Sequence, residues 1–190
     1  MKWQKYFVVN LSAEDVHACK HVTAWKIRYG IPYHRCFSLG VPSRSDCLPL
    51  YPLTSGSFAE ADYFSKLIIV SHGNEWSINY WTPPELAQHL YAWGLRQVGL
   101  ISIKSCHAGR GRYLDELACG LAFQSIGFGW LIGYRGFSRL EGPSLGKAYE
   151  VTSEEDAFCR SLGIKLPDPL RIRTVRGNVA VSNPYSPRFM

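Results

Sequence analysis

"KLIIVSHG", residues 66–73, ends an apolar run on Ser71, His72 and Gly73, and "VGLISIKSCHAG", residues 98–109, ends the next one on Ser105, Cys106 and His107. Runs this short, continuous and rich in Ile and Val read as strands buried on both faces. Between them "TPPELAQHLYAWGL", residues 82–95, opens with Thr82 as N-cap, a proline in the first turn and Glu85 at the capping-box position. Leu86, Leu90 and Trp93 share one face of the helix that follows. Strand, helix and strand at this spacing form a right-handed crossover between parallel neighbours.

Outward from this unit the alternation continues. "GRYLDELACGLAFQSIG", residues 111–127, predicts a helix with Leu114, Leu117, Ala118 and Leu121 in register, and "FGWLIGYRGFS", residues 128–138, a further strand. Near the start, "KYFVVNL" reads as a strand. A helix follows from Ser12, taken as N-cap with Asp15 three residues on, to Gly30. Residues 31–63 lack periodicity and carry Pro32, Pro42, Pro49 and Pro52, so they read as a long loop. "SEEDAFCRSLG" predicts a short helix and "RIRTVRGNVAVS" a late strand or hairpin; of Arg171, Arg173 and Arg176, the first two alternate with Val175 around Ile172 and Thr174, as suits a strand with one solvated face. The expected fold class is α/β: a three-layer α/β/α sandwich with a largely parallel sheet, built as a single domain over residues 1–190.

Composition narrows the function. A chain of 190 residues with 46% hydrophobic content can bury one substantial core. No apolar run approaches the roughly 18 residues of a membrane span, and the N-terminal stretch predicts no cleavable signal. The expected setting is therefore cytoplasmic, or that of an exported effector without a classical signal peptide. Six cysteines without CxxC pairs point to a reducing compartment rather than to zinc or a disulfide framework. The formal charge of +6 leaves room for a small anionic activator. No nucleic-acid motif accompanies it, and neither a nucleic-acid nor a membrane partner is expected.

In an open parallel sheet, residues just past the strands project into one crevice at the carboxyl edge. His72 and Cys106 both fall there, 34 positions apart, on strands about 5 Å from each other. A thiol at the start of a helix beside an imidazole favours its thiolate and suits nucleophilic attack, with the histidine as general acid/base. The backbone N–H groups of Gly73 and Cys106 are candidates for an oxyanion hole. His107 directly follows the cysteine and should diverge from the thiol. His17, His21, His34 and His89 are read as ordinary surface or core histidines, and Cys19, Cys119 and Cys159 as buried and inert.

"LIIVSHG" and "LISIKSCHAG" together resemble the caspase-like cysteine peptidases, which include metacaspases and the self-cleaving protease domains of bacterial toxins. The resemblance covers about residues 66–137 and implies a caspase-like fold and a cysteine endopeptidase acting on a protein or peptide through a thioacyl intermediate. It makes Cys106 the nucleophile, His72 the acid/base and Gly73 with Cys106 the oxyanion donors, and it calls for no cofactor or metal. Lys104 stands where caspases carry a specificity glutamine. "LIGYRGFSRLEG" adds Arg135, Ser138 and Glu141 as further substrate-binding candidates.

"CHAGRGR", residues 106–112, also resembles the protein tyrosine phosphatase loop. That resemblance would make Cys106 the nucleophile on phosphorus, shape a nest with Ala108, Gly109 and Gly111, and use Arg112 as a bidentate phosphate clamp. It lacks the family's histidine before the cysteine and its general-acid aspartate, which Glu85 replaces poorly. A non-catalytic caspase-like binding module is the third reading.

Overall fold

The computed structural model describes residues 3–40 and 50–182. In chain order the elements are β1 (Lys5–Asn10), α1 (Val16–Tyr29), β2 (Cys36–Ser38), β3 (Tyr51–Pro52), β4 (Ser65–Val70), α2 (Pro83–Ala92) and β5 (Gln97–Lys104). They continue with α3 (Tyr113–Phe123), β6 (Gly127–Tyr134), β7 (Arg139–Glu141), β8 (Tyr149–Val151), α4 (Glu154–Ser161), α5 (Asp168–Arg171) and β9 (Ile172–Arg176). Seven strands form one sheet in the order β3-β2-β1-β4-β5-β6-β9, parallel throughout except for β9, which runs against β6. The expected mixed α/β class with a largely parallel central sheet is therefore observed.

Alternation along β4 shows how two layers cover that sheet. Leu67 and Ile69 point into the larger core, where Leu86 and Leu90 of α2 meet Leu114, Leu117 and Leu121 of α3. Ile68 and Val70 point to the opposite face, against Ala18, Val22 and Trp25 of α1. The two-stranded β7–β8 hairpin is a separate small sheet.

Local chemistry explains the ends of the helices. The Thr82 N–H donates to Glu85 Oε2 at 2.8 Å, so the capping box forms as read. Gly30 closes α1 in the left-handed region at φ 58. The start of α1 differs from expectation: Asp15, not Ser12, is the N-cap, and its Oδ1 accepts from the Ala18 N–H at 2.7 Å. Ser12 is occupied elsewhere, accepting from the His72 N–H at 3.0 Å.

Residues 31–63 are not simply a loop. Cys36–Ser38 and Tyr51–Pro52 extend the sheet parallel to β1, and Phe58 and Ala61 are buried in the core. Pro42, Cys47 and Pro49 lie outside the described residues. Arg171 is not solvated either: it is 8% exposed, with its Nε 3.2 Å from Asp156 Oδ2. Among the described residues no helix is long and apolar enough to cross a membrane.

Two cysteine expectations also change. Cys119 is exposed, and Cys19 is disulfide-bonded, whereas Cys36, Cys106, Cys119 and Cys159 are free thiols.

Candidate functional site

Strand register assembles the site. Val70 at the end of β4 pairs with Lys104 at the end of β5, and His72 and Cys106 each stand two residues further on. The carboxyl ends of β1 and β6 flank this pair and bring residues 12–15 and 135–138 alongside. His72 and Cys106 line one cleft of about 790 Å³ together with Phe137, Ser138, Leu140 and Glu141. Beneath them a narrower recess of about 50 Å³ reaches Lys104.

His72 is held from two sides. Its backbone N–H donates to Ser12, and its Nε2 lies 3.2 Å from Asp15 Oδ2. Burial works to raise the Asp15 carboxyl, but the Ala18 N–H and the His72 imidazole outweigh it and hold the group below the usual carboxylate range. One residue thus caps α1 and orients the histidine. The imidazole itself stays open, with 67% of its side chain exposed.

Cys106 is partly exposed, and its Sγ accepts from the Ser138 N–H at 3.3 Å. It does not sit at a helix start. Turns occupy residues 106–109 and α3 begins only at Tyr113, beyond the first-turn reach of a helix dipole. His107 takes φ 57, and its Nδ1 lies 3.4 Å from the Arg135 carbonyl, so its ring leaves the thiol as expected.

A chain of polar contacts runs from the thiol into the interior. Ser138 Oγ donates to Glu150 Oε1 at 3.3 Å, and Glu150 Oε2 accepts from Lys104 Nζ at 2.8 Å. Lys104, only 8% exposed, also reaches the Tyr134 hydroxyl. Of the substrate-binding candidates, Ser138 and Glu141 line the wide cleft and Lys104 the base of the recess. Arg135 does not join them, since its Nε donates to the Pro169 carbonyl at 3.1 Å. Glu141 is already paired with Arg139 at 2.7 Å.

Three residues were missed or misread in the sequence. Asp15 carried a helix-start signal but no sign of His72. His17 and His21 line the cleft rather than lying apart from it, and burial pushes His21 below the ordinary histidine range. His89 behaves as an ordinary packed histidine, stacked on Trp93 at 5.4 Å.

The loop after Cys106 does not form a phosphate nest. The His107 N–H donates to the Gly136 carbonyl, that of Gly109 to Tyr134 and that of Arg110 to His107, at 2.6, 2.6 and 2.8 Å. These amides are therefore committed to the backbone. Arg112 is turned outward, its side chain 81% exposed and its Nε 3.8 Å from Glu116.

No family model matches the chain, and no curated protein matches it. Among solved structures it is similar to a secreted C11 cysteine protease from Bacteroides thetaiotaomicron, determined in complex with an irreversible peptide inhibitor. The TM-score is 0.40 at 9% identity, over 70% of this chain and 49% of that one, so the match spans about half of the protease. A likeness at this level establishes neither a family nor an activity.

Proposed function

We propose that the protein is a cysteine endopeptidase with a His72–Cys106 dyad. The observation that carries this reading is the convergence of the two side chains in one open cleft, from equivalent positions beyond adjacent parallel strands. Cys106 Sγ attacks the scissile carbonyl, and His72 takes the thiol proton and returns it to the leaving amine. Water then resolves the thioacyl intermediate. Asp15 orients the imidazole and offsets its positive charge.

Gly73 and Cys106 are the oxyanion donors in this reading. The turn after β4 is closed by Asn79 N–H to His72 O and by Asn74 N–H to Ser77 O, which leaves the Gly73 amide outside that ladder. A peptide lies along the wide cleft against Phe137, Leu140 and Leu145, with one small side chain in the recess above Lys104. Ser138 and Glu141 contribute polar contacts along this path.

The test is cleavage of a peptide library by the wild type and three variants, run beside hydrolysis of a phosphotyrosine mimic. Cys106→Ala should abolish cleavage and His72→Ala should lower it by about 10²–10⁴-fold. Arg112→Ala should leave it nearly unchanged. Hydrolysis of the phosphate ester that survives His72→Ala and dies with Arg112→Ala would overturn the peptidase reading in favour of a phosphatase. No turnover of any peptide, with an unreactive Cys106, would leave a binding module.

A further inference from the structure

Lys66 on β4 and Lys104 on β5 face α1, and both line a cavity of about 380 Å³ beside the peptide cleft. The carboxylate that pulls on Lys66, Glu150, is committed to Lys104 through Oε2 and to Ser138 through Oε1. Lys66 is left with the Tyr29 hydroxyl at 3.4 Å and the Tyr29 ring, whose centroid lies 4.9 Å from Nζ. It is only 6% exposed, and among the described residues no carboxylate stands within salt-bridge distance of it.

The remaining charged walls do not change this imbalance. Arg160, Arg171 and Lys165 are paired with Asp156 and Asp168. Arg28 lies over Trp25 at 5.3 Å, without a carboxylate partner among the described residues. The other ionisable walls, Tyr29, Tyr134 and Tyr149, are phenols. A desolvated lysine beside another cation is the setting in which an amine becomes a nucleophile.

We propose that Lys66 is the amine of a second, covalent site that condenses with a small anionic carbonyl compound to form an imine. The amine nitrogen attacks the carbonyl carbon, a C=N bond replaces C=O, and the oxygen leaves as water with the two amine protons. Arg28 receives the anionic group, and Trp25, Tyr29 and Tyr134 provide apolar walls for the rest of the molecule. Burial first, and Lys104 second, push the Lys66 ammonium down to about 7, against the pull of Glu150. A far larger share of it is then neutral at pH 7 than of an ordinary lysine. The site shares Lys104 and Glu150 with the contacts behind Ser138, but it does not rest on the peptidase reading of Cys106.

Pyridoxal 5′-phosphate followed by borohydride reduction, with peptide mapping, tests this on the intact chain. Lys66 should be modified at least tenfold faster than the exposed Lys20 and Lys147, and pyridoxal without its phosphate should react at least tenfold more slowly there. Lys104→Met should slow modification of Lys66 by tenfold or more, because it removes the neighbouring cation and leaves Glu150 free to stabilise the Lys66 ammonium. Circular dichroism checks that this variant is folded. Adducts spread over exposed lysines with Lys66 untouched, or a Lys66 rate indifferent to Lys104, would overturn the site. Equal rates for the two aldehydes would overturn its preference for an anion.

Discussion

Asp15 serves α1 through Oδ1 and His72 through Oδ2, and Asp15→Asn separates the two jobs. Asparagine caps a helix about as well as aspartate, so folding stability should change by less than about 0.5 kcal/mol. The charge, however, is lost. At the 3.2 Å separation, Coulomb's law gives about 1.3 kcal/mol in water and about 5 kcal/mol at an effective dielectric of 20. With the His72 side chain two-thirds exposed, the aqueous end applies and salt trims it further, leaving about 1 kcal/mol. Turnover of the best library peptide should therefore fall about fivefold, chiefly in kcat, with KM little changed. Raising the salt from about 0.05 to 0.5 M should narrow the gap between wild type and variant. Asp15→Ala should match the kinetic loss and add about 1 kcal/mol of destabilisation from the missing cap. Full activity in Asp15→Asn, or a loss that merely tracks its unfolded fraction, would refute the role assigned to Asp15.

Three other outcomes are expected. With limiting iodoacetamide at neutral pH, Cys106 should alkylate ahead of Cys119 despite the greater exposure of the latter, while Cys36, whose thiol burial pushes up to about 11, should lag far behind; mass spectrometry reads all three. Asp156→Asn should cost about 3 kcal/mol in urea unfolding, because Arg171 and Arg160 lose the buried carboxylate they share. Burial raises the Asp156 carboxyl, but Thr152, Arg171 and Arg160 together hold it below its unfolded value. Its contribution is thus complete above about pH 4 and lost as pH falls further, and the variant should lose less stability than wild type over that acid range. Gly73→Ala should destabilise by about 1–3 kcal/mol in thermal melts and depress peptide cleavage, since a Cβ there would overlap Ser105 Oγ and stand 2.7 Å from the Ser77 carbonyl.

The parts of the fold legible in the sequence are those whose signal is local. β4, β5 and β6 announce themselves as apolar runs, and α2 by Thr82, Pro83 and Glu85, because strand and cap chemistry act within a few residues. β2 and β3 are three and two residues long, too short for alternation to register among the surrounding prolines. The partnership of Asp15 with His72 spans 57 positions and exists because β1 pairs with β4, a fact of tertiary register that neither segment carries alone. The same holds for Glu150, which reaches Lys104 and Ser138 from the β7–β8 hairpin. Arg171 was misread because alternating arginines suit an exposed strand, whereas its partner Asp156 sits one helix earlier.

The placement of His72 and Cys106 two residues past the Val70–Lys104 pair makes the site a matter of phase rather than of distance along the chain. β4 ends at Val70, so deleting Ser71 would draw His72 back to the first position beyond the strand, away from Asp15 and out of step with Cys106. The crossover through α2 enters only through its two endpoints. Residues inserted in the turn around Trp76, which is 69% exposed, would lengthen the route without altering the alignment at either strand end. A domain or affinity tag grafted at that turn should leave the dyad aligned, whereas the dipeptide before each member of the dyad tolerates no change in length.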